Sequence, residues 1–191
     1  TTVNVLTVAA ELGVGRIVLA GSLEEPEPDS DAVPTSPYAA SKWAASMYAA
    51  TFRRLYGLPI VTARLFMVYG PGQTDPAKLI PGACAALLRG EAPRVGSGER
   101  QVDWVFVDDV VTGLAHLGAR EGLDGQTVDL GTGRLASVRE VVERLAALVP
   151  EAPAPRFGAV PDRPHERVRA ADVTATRRAL GWAPETPLSE G

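Results

Sequence analysis

Apolar residues along the chain follow two spacings, and each spacing predicts a different kind of element. The first twelve residues are apolar at helical spacing, and Gly13 follows where a helix C-cap is expected. Residues 38–56 are rich in alanine and contain no Gly or Pro, which predicts a long helix. Two short and nearly continuous apolar runs, residues 16–20 and 58–66, are typical of parallel strands buried on both faces. Helix and strand therefore alternate, which predicts right-handed crossovers and a parallel sheet with helices on its faces.

Beyond residue 70 the apolar segments become shorter, and Gly and Pro separate them. The candidate helices in this part run over residues 77–88, 109–119, 137–149 and 173–180, and the candidate strands over residues 102–107 and 127–130. The proline-rich residues 150–164 predict a loop or a short edge strand. The whole pattern predicts a doubly wound α/β fold, that is, a parallel sheet with helices on both faces.

Composition narrows the class of protein. The chain has 191 residues, of which 46% are apolar, and a formal net charge of −4, so a folded globular unit is expected and a nucleic-acid partner is not. No apolar run approaches the roughly 20 residues that a membrane span needs, and the chain does not open on a signal segment. The single cysteine, Cys84, lies in an apolar stretch and predicts a small buried residue rather than a disulfide. We therefore expect a cytoplasmic protein without a membrane partner.

The sharpest chemical signal is the pair formed by Tyr38 and Lys42 at the start of the long predicted helix. The spacing i, i+4 places both side chains on one helix face, where an ammonium group favours the phenolate form of a phenol. A phenolate near neutral pH can exchange a proton with a substrate hydroxyl. The alternative is an ordinary surface pair, but chance predicts far fewer than one such pair, because only two lysines occur in the chain. The pair also follows a predicted strand end at Ser22, where open α/β sheets place their sites.

Several motifs together resemble the extended short-chain dehydrogenase/reductase superfamily, that is, the NAD-dependent sugar-nucleotide epimerases and dehydratases. The motifs span residues 20–22, 37–42, 64–72, 107–110 and 180–182. The resemblance implies that Tyr38 is the catalytic base and that Lys42 assists it and binds the nicotinamide ribose. It also implies that Ser22 hydrogen-bonds the reacting oxygen. The cofactor it implies is NAD, with NADP as the alternative, and all three residues would contact that cofactor.

The same resemblance suggests residues that contact cofactor and substrate. Tyr69, in a Tyr-Gly-Pro turn, would lie near the cofactor, and Arg163 matches an arginine that contacts the diphosphate of a nucleotide sugar. Met67 stands where the family commonly has Asn, and Val102 where it commonly has Arg, in positions that touch the nucleotide sugar. Arg100 is the candidate replacement for the charge lost at residue 102. An ordinary structural turn at Tyr69 and a solvated surface arginine at Arg163 remain the alternatives.

One part of the family pattern is absent from the sequence. No Gly-x-x-Gly-x-x-Gly turn occurs, and that turn holds the cofactor pyrophosphate in such folds. We therefore expect a chain that lacks the N-terminal part of the family's fold, about a hundred residues. Residues 1–69 would then form the C-terminal half of a Rossmann-like dinucleotide-binding domain. Residues 70–191 would be mainly substrate-binding, with residues 127–149 returning to the Rossmann-like sheet.

The residues after Ser22 narrow the reaction. Sugar 4,6-dehydratases have Thr-Asp-Glu where this chain has Ser22, Leu23 and Glu24, and Leu23 cannot donate a proton. A 4-epimerase or a related oxidoreductase acting on a nucleotide sugar is therefore favoured over a dehydratase. The alternatives are a carbonyl reductase acting on a non-nucleotide substrate, and a catalytically silent binding or scaffold protein.

The resemblance also implies a homodimer that packs through the helix bearing Tyr38. Small apolar residues would permit such close packing at Ala39, Ala40, Ala44, Ala45 and Ala49.

Four further polar residues receive no chemical role. Asp108 and Asp109 are expected to begin a helix, where carboxylates cap free N–H groups. His116 is expected to pack on a helix, and His165 to lie in an exposed loop. Neither histidine has a partner at metal-ligand spacing, so no metal site is expected.

Overall fold

The computed structural model describes residues 1–26, 33–163 and 167–191. Helices and strands alternate through the first half of the chain, as the apolar pattern predicts. The elements are α1 (Thr2–Leu12), β1 (Ile17–Ser22), α2 (Pro37–Tyr56), β2 (Ile60–Leu65), β3 (Met67–Tyr69), α3 (Leu79–Leu88), β4 (Gln101–Phe106), α4 (Val107–Ala119), β5 (Thr127–Leu130), β6 (Leu135–Ser137), α5 (Val138–Ala147) and α6 (Val173–Leu180). None of the helices in the described ranges is long and apolar enough to cross a membrane.

The first sheet has the order β1, β2, β5, and all its strands are parallel. Side chains alternate between its two faces. One face packs against α1 and α2 around Leu6, Ala49 and Ile60, and the other packs against α4 around Leu117 and Leu130. Helices therefore cover both faces of a parallel sheet, which confirms the predicted doubly wound α/β fold.

A second, smaller sheet has the order β3, β4, β6, with β3 parallel and β6 antiparallel to β4. Its core includes Tyr69, Val102, Trp104 and Val141. Only Phe66 separates β2 from β3, so the chain passes from the first sheet to the second without a loop. The strand predicted over residues 58–66 is therefore shorter, and β3 and β6 were not predicted, since three-residue strands carry no readable periodicity.

The expectation that β1 is buried on both faces is only partly correct. Gly21 and Ser22 at its carboxyl end are buried, but residues 17–19 are half-buried and Ala20 is exposed. Within the described residues β1 pairs with β2 alone, so its other edge lacks a neighbouring strand to cover it.

Strand β5 lies in the first sheet, whereas β6 lies in the second. The predicted division of the chain near residue 70, with residues 127–149 returning to the first sheet, stays a prediction. The structure differs from two smaller expectations, since His116 is exposed and Cys84 is half-buried. His165 lies outside the described residues.

The expected capping role of Asp109 is wrong. Helix α4 begins at Val107 with Phe106 as its N-cap, and no side chain caps it. Asp109 is buried instead, and its carboxylate accepts hydrogen bonds from the backbone N–H groups of Glu185 (3.1 Å) and Thr186 (3.0 Å). It therefore fastens the C-terminal segment to α4, a long-range contact that a local helix-start pattern does not reveal.

Candidate active site

The start of α2 is fixed by a local cap. Ser36 is the N-cap, and its hydroxyl oxygen accepts a hydrogen bond from the backbone N–H of Ala39 at 3.0 Å. Pro37 occupies the first turn, where its missing N–H costs nothing. Tyr38 therefore lies in the first turn of the helix, with Lys42 one turn later on the same face.

Lys42 joins α2 to β1. Its Nζ donates a hydrogen bond to the carbonyl oxygen of Ala20 at 3.0 Å, and it lies 5.9 Å from the ring centroid of Tyr38. The ammonium group is thus placed between the strand and the phenol ring. Tyr38 itself is 53% exposed, so a ligand can reach its side chain from solvent.

Ser22 ends β1 and is buried. The backbone N–H of Glu24 donates to its Oγ at 3.2 Å. A hydroxyl has one proton and two acceptor lone pairs, so this contact leaves the proton of Ser22 available for another acceptor. The structure therefore places Ser22 at the carboxyl end of β1 and joins Lys42, which lies one turn after Tyr38, to the same strand at Ala20.

Glu25 is a further buried residue at this strand end, and the sequence interpretation missed it. Its carboxylate accepts hydrogen bonds from the backbone N–H of Ser22 at 2.7 Å and from the hydroxyl of Ser46 at 2.6 Å. A carboxylate beside Pro26 is typical of a solvated loop, so the local sequence does not indicate that Glu25 is buried. The only available signal was Ser46, which lies four residues after Lys42 on the same helix face.

Tyr69 lies in the core of the second sheet. Its ring packs edge-on against Phe106 with 5.7 Å between the ring centroids, and Gly191 lies against its hydroxyl. That hydroxyl is buried and has no hydrogen-bond partner in the described part of the chain. Burial, and secondarily the Asp109 carboxylate, raise the pKa of Tyr69 above its ordinary value.

The three predicted substrate-binding residues lie in or beside the second sheet. Met67 is half-buried in β3, and Arg100 is half-buried just before β4. Arg163 is exposed, and its neighbour Asp162 accepts a hydrogen bond from the backbone N–H of Ser97 at 2.9 Å. This bond brings the segment that contains Arg163 against the loop that leads to Arg100.

Asp103 fixes the loop between β5 and β6. It is 1% exposed, and its two carboxylate oxygens accept four hydrogen bonds. One oxygen accepts from the Thr132 backbone N–H (2.8 Å) and the Thr132 hydroxyl (2.6 Å), and the other from the N–H groups of Gly133 (2.8 Å) and Ala171 (2.9 Å). A buried carboxylate is tolerated only when its lone pairs are occupied in this way.

Across the described ranges, no group of three or more His, Cys, Asp or Glu side chains could hold a metal ion.

A parallel sheet covered by helices on both faces defines a Rossmann-like α/β fold. The model of the NAD dependent epimerase/dehydratase family matches residues 1–131. The chain belongs to this family.

The relatives include both reaction types in the family's description. The chain is 38% identical over 167 residues to UDP-glucose 4-epimerase of Mycolicibacterium smegmatis, which covers 83% of this chain and 51% of that protein. It is 36% identical over 168 residues to dTDP-glucose 4,6-dehydratase of Xanthomonas campestris pv. campestris, covering 83% and 47%. The solved structure of MoeE5 in complex with UDP-glucose and NAD superposes with a TM-score of 0.88 at 31% identity, covering 100% of this chain and 66% of that one. The chain thus spans about half the length of the curated relatives it matches.

Proposed function

We propose that the protein acts in an NAD-dependent, 4-epimerase-like reaction on a nucleotide sugar, with Tyr38 as the general base. The observation that carries this proposal is the placement of the Lys42 ammonium group between the Ala20 carbonyl and the Tyr38 ring, on the strand that ends at the buried Ser22. Family membership and relatives named as UDP-glucose 4-epimerase and dTDP-glucose 4,6-dehydratase support the reaction class.

Each of the three residues has a role that suits its surroundings. Tyr38 removes the proton of a sugar hydroxyl and later returns a proton to the same oxygen. Lys42 holds α2 to β1 through its bond to the Ala20 carbonyl and offers its ammonium group, 5.9 Å from the Tyr38 ring centroid, to the ribose hydroxyls of the cofactor. Ser22 donates its hydroxyl proton to the reacting oxygen, since within the described residues its hydroxyl only accepts, from the Glu24 N–H.

The reaction balances as an oxidation followed by a reduction of one sugar carbon. NAD, when bound, supplies the acceptor for the hydride that leaves this carbon and the source of the hydride that returns to it. Removal of the hydroxyl proton by Tyr38, together with departure of the hydride from the same carbon, would leave a ketone on the sugar. Rotation of that ketone in the site exposes its other face, and Tyr38 then protonates the alkoxide oxygen. The sequence of steps uses no acid beyond Tyr38 and Ser22.

The residue after Ser22 favours epimerisation over dehydration. Elimination of water needs an additional acid and base, whereas Leu23 is apolar and 5% exposed. Its backbone N–H donates to the carbonyl of Leu65 at 3.0 Å, so the main chain at this position is fixed to β2. A proton donor therefore does not stand at this place in the turn.

The cofactor contacts are proposed for the nicotinamide end only. Ser22, Tyr38 and Lys42 form a cluster of one cation and two hydroxyl groups, which suits a ribose and a carboxamide. Tyr69 stays a proposed cofactor contact, and because its hydroxyl is buried against Gly191, that hydroxyl reaches a ligand only when the C-terminal segment moves. NADP is the alternative cofactor.

The nucleotide sugar is proposed to contact Met67, Arg100 and Arg163. Guanidinium groups suit a diphosphate because they are planar and permanently charged. Val102, by contrast, is 4% exposed in the core of the second sheet, so this position presents no side chain to a ligand. This observation favours the second candidate, a carbonyl reductase on a non-nucleotide substrate, and a preference for free sugars or aglycones would support it.

A homodimer is part of the proposal. Ala39 and Ala49 pack against the protein's own sheet, whereas Ala40 and Ala44 are exposed. Large apolar side chains are also exposed on α1 and α2, at Val5, Val8, Leu12, Tyr48 and Leu55. Exposed apolar area of this kind on adjacent helices is typical of an interface. Light scattering should give twice the chain mass, and Leu55→Glu should give the monomer.

The test of the proposed function combines binding and turnover. The full-length protein that contains this chain is titrated with NAD and with NADP, and it is then supplied with UDP-glucose or dTDP-glucose while epimer formation is followed by chromatography. Tyr38→Phe should abolish turnover and leave the fold unchanged, with Tyr56→Phe, an exposed tyrosine at the end of the same helix, as the control. Equal rates for Tyr38→Phe and the control would contradict the role of Tyr38. Dinucleotide binding without turnover on any sugar would instead support a catalytically silent binding protein.

A further inference from the structure

Glu25 connects the end of β1 to α2. It is 8% exposed, and its two carboxylate oxygens have different partners. Oε1 accepts from the backbone N–H of Ser22 at 2.7 Å, and Oε2 accepts from the hydroxyl of Ser46 at 2.6 Å. The backbone N–H of Glu25 also donates to the carbonyl of Ser22 at 3.1 Å. One side chain therefore holds both the residue that ends the strand and a residue in the middle of the helix.

The helix residue held by Glu25 belongs to the same face as the proposed catalytic pair. Tyr38, Lys42 and Ser46 follow one another at intervals of four residues, which places them in a row along α2. Lys42 already makes one bond from this row to β1, through the Ala20 carbonyl. The Glu25 bond is a second one, a helical turn further along. Two bonds a turn apart fix the rotation of the helix about its axis as well as its distance from the strand.

Glycine at residue 21 allows Glu25 to lie against the strand. A Cβ atom at this position would lie 2.9 Å from Oε1 of Glu25 and 3.0 Å from a methyl carbon of Thr62. The first distance is shorter than Cβ atoms adopt and the second is tight, so a larger residue would displace the carboxylate. The backbone of β1 and the Glu25 carboxylate are thus in direct contact.

We propose that Glu25 is a positioning residue, which sets the position of the Ser22 hydroxyl relative to the Tyr38 and Lys42 side chains by bridging Ser22 and Ser46. This inference rests on the proposed function of those three residues. Its physical reason is that proton transfer depends steeply on geometry, and a shift of about 1 Å in a catalytic group lowers the rate by about 100-fold. Glu25 does not itself touch the substrate in this scheme.

The test uses the fact that Lys42 and Lys78 are the only lysines in the sequence. Lysine labelled with ¹³C at Cε gives two signals in the spectrum of the full chain, and Lys78, which lies at the start of α3, is the internal control. Glu25→Ala should move the Lys42 signal towards that of a solvated lysine and leave the Lys78 signal in place. Glu25→Gln should keep both signals, since an amide can accept from Ser22 with its oxygen and donate to the Ser46 oxygen with its nitrogen.

Kinetics supply the second measurement. We expect Glu25→Ala to lower kcat by about 10- to 100-fold with little change in KM, because ground-state binding does not depend on the bridge. Glu25→Gln should restore kcat to within a few-fold of the wild-type value. Glu24→Ala is the matched control, since that neighbouring side chain makes no hydrogen bond in the described structure, and it should leave both the spectrum and the rate unchanged.

The outcomes separate this inference from the proposed function. A folded Glu25→Ala variant with an unmoved Lys42 signal would overturn the inference, whatever the rate. If Glu25→Ala does not fold, Ser46→Ala removes only the helix side of the bridge, and an unmoved Lys42 signal in that variant would have the same meaning. Absence of turnover in the full-length wild-type protein, together with a Lys42 signal that still moves in the variants of this chain, would support the bridge and contradict the proposed function.

Discussion

The replacement of Asp103 by Asn is expected to lower the free energy of unfolding by about 3–5 kcal/mol. The side chain keeps its size, so the change removes a charge and converts one acceptor oxygen into an NH₂ donor. If the amide nitrogen faces Thr132, it meets one backbone N–H and one hydroxyl, and the hydroxyl can rotate and accept. If it faces Gly133 and Ala171, it meets two N–H groups that cannot accept. The first orientation is therefore preferred.

The magnitude follows from that orientation. The Thr132 N–H loses its acceptor in a buried place, which costs about 1–3 kcal/mol. The bonds from Gly133 and Ala171 change from charge-assisted to neutral, which costs about 1 kcal/mol each. A total of this size is a large fraction of the stability of a typical domain, about 5–15 kcal/mol.

Urea unfolding followed by tryptophan fluorescence measures the change, because Trp104 is adjacent to Asp103 in β4. Asp108→Asn is the control, since Asp108 is an exposed carboxylate in the first turn of α4 and its loss should cost less than about 1 kcal/mol. If Asp103→Asn unfolds at the same urea concentration as this control, the four hydrogen bonds do not stabilise the fold as reasoned.

Three further predictions concern the cap of α2, the core and the buried tyrosine. Ser36→Ala should lower the free energy of unfolding by about 1 kcal/mol through loss of the N-cap. Ser41→Ala, at an exposed position of the same helix, should stay within about 0.5 kcal/mol of the wild type. Equal losses in the two variants would exclude the cap as the cause. Leu117→Ala should cost about 2–5 kcal/mol in thermal or urea unfolding because the side chain is fully buried, and a smaller loss would mean that the core closes around the cavity. Burial raises the pKa of Tyr69, so the folded state favours the protonated phenol. The contribution of this group to stability is complete below the unfolded-state pKa of about 10, and it is lost as the pH rises above that value. Tyr69→Phe should therefore reduce the fall in unfolding free energy above pH 10, and an unchanged slope would contradict the assignment.

Local sequence patterns predicted the long elements correctly because each one carries its own signal. Helix α2 has a serine cap, a proline in its first turn and a glycine after its end, and α6 was predicted with its observed bounds. Strand β5 was likewise predicted at Thr127–Leu130. In these segments periodicity and capping residues agree with the tertiary structure.

The features that were missed depend on contacts between distant parts of the chain. Strands β3 and β6 are three residues long and exist because β4 lies between them. Asp109 bonds to residues 185 and 186, and no local pattern distinguishes that role from an ordinary helix start. The candidate site shows the same division. The spacing within α2 indicated Tyr38 and Lys42, whereas the role of Glu25 depends on the packing of α2 against β1.

The direct passage from β2 to β3 has a mechanical consequence. Phe66, the one residue between them, is 4% exposed, and its backbone N–H donates to the carbonyl of Leu130 at 3.2 Å. The two sheets are therefore joined without a flexible linker at this crossing. Bending of the chain here would have to break that bond and move the Phe66 ring away from Gly131. Leu65, the residue before Phe66, accepts a hydrogen bond from the backbone N–H of Leu23 with its carbonyl oxygen. The turn that begins at Ser22 and the passage into the second sheet are thus anchored at the same end of β2.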